Sequence, residues 1–444
     1  MKQQNESNRA QAIVMGASLG GLMTAKVLSQ HFQNVLIIEK DTVNHQPESR
    51  KGQPQTRHLH GLLPAGFNVI LRYFPDISQA LSDAGANLCD FAETMIWQTY
   101  GGYRKRFNMN LTGVTMSRPL LEHLVRERVL ALPNVQLMDN TSVKQLQTNT
   151  DKSRITGILV EQKGDTQPFA LDADLVVDVT GRISRTPQWL TELGYEAPPV
   201  SEVNVNVGYA TRVYKRKEND PRSNNWMLFT PKAPDERRFG GIFPIEDNRW
   251  IATIGGWHGD SAAMDENGFN QFAKSLGMPE IADIICNSEP LSEIMPYKFT
   301  CSLRRHYEKL NRFPLGYLVL GDAVSSFNPT YGQGMSSASL QAAELDSILS
   351  SQVSEEKLAL TFFKKAAKVV DIPWQLSVGE DFRYPETTGP KPAGVDFINK
   401  YVSKVHKATL KDPIVCEAFL RVMSLLKPPT SLFHPRILWR VLTA

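Results

Sequence analysis

Two short stretches of this chain carry residues arranged for chemistry on a phosphate-bearing ligand. The first is Gly16-Ala17-Ser18-Leu19-Gly20-Gly21. Glycines spaced this way let the backbone turn sharply and aim its N–H groups, with a helix N-terminus, at a pyrophosphate. Glu39, 18 residues beyond Gly21, stands where a carboxylate accepts hydrogen bonds from a ribose diol. The second stretch starts 300 residues after Gly21. It runs from Gly321-Asp322 through Asn328-Pro329-Thr330-Tyr331 to Gly332-Gln333-Gly334. A second glycine turn carrying an acid implies a second grip on one long ligand, and FAD is long enough to need both.

The elements around these residues fit that chemistry. Ala12–Met15 is an apolar strand, Leu22–Gln30 has a helical pattern, and Val35–Ile38 is a second strand ending on Glu39. This is the strand, turn, helix, strand order of a dinucleotide-binding βαβ unit. Leu315–Leu320 supplies an apolar strand ahead of the second turn. Ser18 replaces the middle glycine of the usual fingerprint, so the turn also reads as the Gly-x-Ser-x-Gly elbow of a serine hydrolase. That elbow needs a sheet already built beneath it and an oxyanion loop upstream. Too few residues precede Ser18 to provide either, and the dinucleotide reading prevails.

Ser117-Arg118-Pro119 opens a helix, with Ser117 as N-cap and Pro119 in the first turn. Residues 135–180 read as short alternating strands. From about 200 to 260 the period becomes two, with strands at Tyr209–Tyr214, Trp226–Phe229, Gly240–Phe243 and Arg249–Ile254 and a hairpin turn at Glu246-Asp247-Asn248. Beyond Gly334 the pattern is helical, with breaks expected at Pro373, between Pro385 and Pro392, and at Pro428-Pro429.

The expected fold class is α/β. A discontinuous Rossmann-type lobe (10–70, 110–195 and 300–345) carries an inserted antiparallel β-sheet domain (71–109 and 196–299). A C-terminal helical region (346–444) follows.

At 444 residues the chain exceeds one ordinary core. A net charge of +3, with no basic stripe interleaved with aromatics, argues against nucleic acid as a partner. The four cysteines, Cys89, Cys286, Cys301 and Cys416, form no CxxC pair, which points to reduced thiols and a cytoplasmic protein. The N-terminal arm is polar, with no signal peptide expected, and no apolar run is long enough to span a bilayer. His58 and His60 would share a face if they lay on a strand, but no third ligand accompanies them, so no metal is expected. The stretch Leu432–Leu442 is basic and amphipathic, which makes peripheral membrane contact there a second expectation beside plain packing.

Taken together the motifs resemble the FAD-dependent monooxygenase superfamily that includes p-hydroxybenzoate hydroxylase and squalene epoxidase. The likeness is greatest to bacterial flavin monooxygenases of natural-product biosynthesis and to polyether-pathway epoxidases. It rests on Arg50–His60, Thr180–Ser184, Tyr209–Arg212, Pro244–Glu246, Leu303–Tyr307 and, above all, Gly321–Met335. The resemblance implies non-covalent FAD, with Gly16, Ser18 and Gly21 at the pyrophosphate and Glu39 at the adenosine ribose. Arg57 and Arg118 would lie near the phosphates and ribose, and Asp322 at the ribityl chain. Gly332 and Gly334 would start a helix facing the flavin pyrimidine edge. On residue type alone, Asp322 could also cap a helix and Arg118 could merely open one. The middle motif is Thr180-Gly181 where hydroxylases carry Asp-Gly, which leaves the electron donor open between NAD(P)H and a partner flavin reductase.

The activity implied is insertion of one oxygen atom from O2 into a lipophilic unsaturated or aromatic small molecule, by epoxidation or hydroxylation through a flavin hydroperoxide. The substrate pocket is expected to include His58, Tyr209, Arg212, Phe243 and Pro329. Alternate strand positions should turn some of Tyr214, Trp226, Phe229, Trp250 and Trp257 inward with them as an aromatic wall, and Arg212 and Arg304 would tether a single polar end. No catalytic residue is assigned. No general base stands out, which leans toward epoxidation, since hydroxylation of a phenol profits from ring deprotonation. The rival readings are a flavin-dependent C=C reductase and a non-catalytic flavin-binding protein. A flavin halogenase would carry a Trp-x-Trp-x-Ile-Pro segment, which Trp250 and Trp257 do not make.

Overall fold

The computed structural model describes residues 9–165 and 167–444. The polar arm, residues 1–8, lies outside them. Ala12, Ile13, Val14 and Met15 have no exposed surface, as a continuous apolar run requires when a strand is covered on both faces. Their strand, Gln11–Met15, sits at the centre of a five-stranded sheet. In spatial order the strands are Tyr317–Val319, Leu175–Asp178, Gln11–Met15, Asn34–Ile38 and Val135–Met138. Every pairing is parallel.

This order explains why stretches 300 residues apart can act together. The strand ends leading to Gly16, Thr180-Gly181 and Gly321 lie side by side at one edge of the sheet, the carboxyl-end crevice where doubly wound folds bind ligands. The helix of the βαβ unit spans Leu19–Leu28, starting three residues earlier than its apolar pattern implied. It packs in one core with the helix Gly334–Ser350.

The second sheet has eight strands, in the order Ser325–Ser326, Met295–Arg305, Val200–Lys215, Arg249–Gly256, Arg238–Ile245, Trp226–Phe229, Met95–Thr99 and Gly102–Tyr103. Its pairings are antiparallel except that of Trp226–Phe229 with Met95–Thr99, which is parallel. The turn at Asp247-Asn248 has both residues at positive φ, 58° and 53°, the conformation that matches hairpin twist. Alternation sorts the long strand: Ala210 and Tyr214 pack under the helices Glu266–Ser275 and Pro279–Asn287, and Tyr209 and Thr211 take the other face.

The expected break at Pro373 does not occur. One helix runs from Glu355 to Asp381 with Pro373 inside it. A mid-helix proline costs roughly 3 kcal/mol, and packing on both sides outweighs it. Phe362, Phe363, Ala366 and Val370 are buried in the core of the parallel sheet. Val378 and the following Phe382 are buried with Val203, Val205 and Trp257 of the second sheet. The helix therefore ties the two sheets together. The last helices, Val395–Ala408, Pro413–Met423 and Pro435–Thr443, pack Tyr401, Val405, Phe419, Leu420 and Ile437 against Met95, Trp97, Trp226 and Phe243.

Candidate functional site

At the first turn, Gly16 has φ +109°, and a Cβ there would lie 2.8 Å from the Val179 carbonyl oxygen. A Cβ on Gly21 would lie 1.8 Å from the Gly16 carbonyl oxygen, so only glycine lets helix and turn approach this closely. Ser18 is the N-cap by position, but its hydroxyl does not cap the helix. Ser18 Oγ donates to Glu122 Oε1 at 2.8 Å and accepts from Arg118 Nη2 at 3.3 Å. Arg118 pairs with Glu122 at 2.6 Å, and the Leu19 N–H donates to the same carboxylate at 3.1 Å. Burial would raise the Glu122 pKa, but the charges of Arg118 and Arg50 outweigh it and hold the group below the usual carboxylate range. Ser117 caps the helix that carries these residues, accepting from the Leu120 N–H at 3.2 Å.

Glu39 is buried and accepts from the Ala17 N–H at 2.9 Å and the Asp41 N–H at 3.1 Å. Its ion-pair partner is Arg50, at 3.1 Å, which also donates to the Ala17 carbonyl at 3.0 Å. Arg57, the arginine expected here, is exposed, and neither it nor the buried Arg50 lines the cleft. The motif Arg50–Arg57 holds two arginines, and residue type alone could not say which turns inward.

At the second turn, Gly321 has φ +69° and donates its N–H to Gln341 Oε1 at 3.0 Å. Asp322 opens into the cleft. Desolvation raises its pKa above the ordinary value, against the opposing charges of Arg118 and Arg182. Gly332, at φ +66°, turns the chain into Gln333, the N-cap of the helix Gly334–Ser350. Gln333 is 1% exposed, and neither its Oε1 nor its Nε2 has a partner among the described residues. A buried amide left unpaired costs about 1–3 kcal/mol per group, so this position calls for a ligand edge that both donates and accepts.

All of this opens into one cavity of about 1280 Å³, larger than the roughly 300–1,000 Å³ of a single drug-sized ligand site. Gly16, Ser18, Glu39, Arg118, Asp322, Pro329, Gly332 and Gly334 line one end; Gly21 lies behind the turn. Tyr209, Trp226, Phe229, Phe243 and Trp257 line the other. Tyr214 and Trp250 point into the core on the far side of the sheet. Arg212 also takes the far side, donating to the Ser292 carbonyl at 2.9 Å, and Arg304 pairs with Asp371 at 2.7 Å. Neither arginine lines the cavity, so neither provides the expected tether.

His58 sits beneath the wall rather than in it. Its Nδ1 meets Thr211 Oγ1 at 2.8 Å, and its ring lies edge-on to Tyr209 and Tyr297. Burial, then the charge of Arg57, lowers its pKa to about 4. His60 does line the cavity, and burial, then the charge of Arg118, lowers its pKa to about 3. The two histidines follow a short 3₁₀ turn rather than sharing a strand. Among the described residues no cluster of three His, Cys, Asp or Glu is placed to hold a metal.

Sequence reasoning missed two polar groups. Arg104 is buried between the rings of Trp97 and Phe419, 4.3 Å from each, and contacts His406 at 2.8 Å. Asp381, the last residue of the long helix, is fully buried. Its Oδ1 accepts from Asn328 Nδ2 at 2.8 Å, Tyr331 Oη at 2.9 Å and Trp257 Nε1 at 3.1 Å. One signal was available: Glu380-Asp381 places two acids at a helix C-terminus, where the helix dipole disfavours them.

The sequence model of the family described as "FAD binding domain" matches residues 9–371. The chain belongs to this FAD-binding family. The match spans both glycine turns and the sheet between them, and it places the chain in the FAD-dependent monooxygenase superfamily that the motifs resembled. Protein Rv3254 of Mycobacterium tuberculosis is 31% identical over 435 residues, covering 94% of this chain and 89% of that protein.

Solved structures share the fold at lower identity. PqsL, a probable FAD-dependent monooxygenase from Pseudomonas aeruginosa, has a TM-score of 0.62 at 16% identity, over 85% of this chain and 98% of that one. A flavoprotein/dehydrogenase from Cytophaga hutchinsonii has a TM-score of 0.66 at 14% identity, over 94% and 92%. The flavin-dependent brominase Bmp2 has a TM-score of 0.61 at 12% identity, over 97% and 98%.

The residues fit FAD. The glycine cradle admits a diphosphate, Asp322 faces the cleft between the two turns, and Gln333 presents an unpaired donor and acceptor beside a helix N-terminus.

Proposed function

We propose that this protein is an FAD-dependent monooxygenase that inserts one oxygen atom of O2 into a lipophilic unsaturated or aromatic small molecule. The supporting observation is the single cavity, which runs without interruption from the two glycine turns to the aromatic wall. Bound reduced flavin supplies the activation of O2. The chain's own residues bind, orient and keep water out. Gly16, Ser18 and Arg118 hold the pyrophosphate, with Gly21 behind them letting helix and turn pack closely, Glu39 holds the ribose and Asp322 the ribityl chain. Gly332 and Gly334 lead the helix whose N-terminus favours negative charge on the flavin. Arg50, buried behind the cavity lining, holds Glu39 in place.

The wall of Tyr209, Trp226, Phe229, Phe243 and Trp257 rejects unpaired charge, because burying an ion without a partner is far costlier than burying a ring. Electrons come from NAD(P)H or a partner flavin reductase. In the same reading, segments 10–70, 110–195 and 300–345 hold FAD, segments 71–109 and 196–299 wall the substrate, and residues 346–444 close over it. The fold neighbour PqsL has been solved in complex with 2-aminobenzoylacetate, which carries an aromatic ring.

The test is aerobic incubation of FAD-loaded protein with polyenes, phenols and larger aromatics, supplied with NADPH and a generic reductase and read by mass for a gain of one oxygen. Turnover confined to small hydrophilic acids, or C=C reduction that proceeds without O2, would overturn the proposal.

The C-terminal helices add a membrane contact to this reading. No helix among the described residues is long and apolar enough to cross a bilayer. Phe397 is 76% exposed and Trp439 71%, while Lys400, Lys404 and Lys407 continue the exposed face that Phe397 begins. Ile398 and Phe433 both line the cavity and reach the surface. Aromatics beside lysines suit an anionic lipid surface. Co-sedimentation with phosphatidylserine vesicles, reduced in a Phe397→Ser/Trp439→Ser double variant, supports the contact; no sedimentation rules it out.

A further inference from the structure

Arg104 is a buried cation, 2% exposed, and no carboxylate among the described residues pairs with it. Its guanidinium donates to Thr409 Oγ1 and, at 2.8 Å, to His406 Nδ1. Its Nε has no partner among the described residues. Burying a charge in this way is costly, and what it secures is the state of one imidazole.

A guanidinium only donates, so Nδ1 of His406 is the acceptor and the ring proton sits on Nε2. Burial lowers the His406 pKa to about 4, against the pull of Glu380. The ring is therefore neutral at ordinary pH and keeps this one tautomer. Tyr100 stacks on it at 5.1 Å and Phe419 meets it edge-on at 5.0 Å, which fixes its plane.

His406 Nε2 lies 3.9 Å from Glu380 Oε1, too far for a hydrogen bond. Glu380 itself accepts from Arg383 Nε at 2.7 Å and Nη2 at 3.1 Å. Burial would raise the Glu380 pKa, but the charge of Arg383, joined by His406, brings it down to about 2. It stays a carboxylate, with 32% of its side chain open. Glu380 and His406 both line the cavity, among Leu376, Ile398, Val402 and Phe419. A fixed donor and a fixed acceptor thus stand in an apolar wall, separated by a gap that one ligand oxygen can bridge.

We propose that His406 and Glu380 form a clamp for a hydroxyl group of the substrate. The ligand oxygen accepts from His406 Nε2–H and donates its hydrogen to Glu380 Oε1. The assignment deepens the monooxygenase reading and rests on it, narrowing the substrate to a lipophilic alcohol. No bond is made or broken and no proton is transferred. Arg104 acts through His406 and is a positioning residue. An ether oxygen can accept but leaves Glu380 without a donor, and a carboxylate meets the Glu380 charge.

The test uses FAD-loaded protein and three probes with one chain and different heads: farnesol, farnesyl methyl ether and farnesoic acid in its ionised form. Affinities are read by equilibrium dialysis. Farnesol should bind about tenfold tighter than the ether, the factor set by one buried polar contact. It should bind about a hundredfold tighter than the acid, which is repelled by Glu380. Glu380→Gln removes that charge and should raise the affinity for the acid about tenfold, a gain that loosening of the fold does not give. His406→Phe, which keeps the ring stack, should weaken alcohol and ether about tenfold each. NMR of histidine-labelled protein, with His406 assigned by its absence in His406→Phe, should show the ring proton on Nε2.

Flavin absorbance and oxygen consumption are followed in parallel. Protein that takes up no FAD, or consumes no oxygen when reduced, refutes the monooxygenase reading itself. FAD-loaded, oxygen-consuming wild type that binds the three probes alike, or binds none, refutes only the clamp. Tightest binding of the acid refutes it too, by making the Arg104 charge the deciding group, as does a ring proton on Nδ1. These wild-type outcomes hold even if Glu380→Gln, which leaves Arg383 unpaired, does not fold.

Discussion

The sharpest test of the cofactor turn is Gly21→Ala, with Gly20→Ala as its control. An ideal Cβ on Gly21 would sit 1.8 Å from the Gly16 carbonyl oxygen and 2.8 Å from its carbon. Both atoms are backbone, so no rotamer change relieves the overlap; helix and turn must separate by more than an ångström. Alanine should add up to about 1 kcal/mol of helix propensity. Overpacking typically costs 1–3 kcal/mol, and a clash this deep belongs at or beyond the upper end. The net expectation is a loss of about 2 kcal/mol. Displacing Gly16 also moves the N–H groups aimed at the pyrophosphate, so FAD content should fall with stability.

At Gly20 the same methyl meets Val179 Cγ1 at 3.1 Å and Ala338 Cβ at 3.4 Å. A shift of a few tenths of an ångström accommodates it, and propensity roughly cancels the cost, so stability should stay within about 1 kcal/mol of wild type. Urea unfolding followed by tryptophan fluorescence gives the stability, and flavin absorbance per mole of protein gives the occupancy. If Gly21→Ala matches Gly20→Ala in both, the close approach of helix and turn is not what holds the cofactor site.

Asp322→Ala should weaken FAD binding about 5- to 150-fold, the equivalent of 1–3 kcal/mol for unpaired cofactor hydroxyls. Ser18→Ala should cost less, since Glu122 keeps both Arg118 and the Leu19 N–H; fluorescence titration with the larger loss at Ser18 would count against this. Arg50→Ala leaves Glu39 without its buried partner and should destabilise the protein by about 3–5 kcal/mol. Exposed Arg57→Ala should stay within about 0.5 kcal/mol, and comparable losses in the two variants would restore Arg57 to the site. Burial and the Arg57 charge depress the His58 pKa to about 4, so the unfolded chain, titrating near 6.5, binds the extra proton. Stability is therefore lost as pH falls from about 6.5 to 4, by about 2 kcal/mol at pH 5 for this one group. Asp381, raised to about 7, works in the opposite sense, so wild type should be compared with His58→Gln; equal pH slopes between 7 and 5 would refute the assignment.

Much of the cofactor lobe was legible because its determinants are local. A strand buried on both faces, a turn that must be glycine, and a carboxylate at the end of the next strand each leave their mark within a few residues, as at Ala12–Met15, Gly16 and Glu39. The hairpin at Asp247-Asn248 was readable for the same reason. Periodicity also anticipated that only part of the aromatic set would face a pocket, because alternation divides any strand between two faces. What the period could not assign was the face. Tyr209 and Arg212 lie three positions apart on one strand, so they cannot share a side, and the strand's partners decide which of them meets the cavity.

The site's chemistry was less legible because it depends on where the chain returns. Pro373 looked like a stop, since proline is judged by the hydrogen bond it removes, and only the two cores flanking it show why the helix continues to Asp381. Had the helix broken there, no carboxyl would lie beneath Tyr331, and its hydroxyl would be free to rotate. The proline-bearing helix thus does two things: it ties the sheets together and fixes one acid among three donors from distant parts of the sequence. The same dependence applies to the cavity's far end, where Arg104 lies between Trp97 and Phe419, residues more than 300 positions apart. Because groups assembled this way owe their positions to packing, a substitution that loosens the C-terminal helices should alter substrate handling before it alters FAD retention, whose proposed contacts are the two glycine turns.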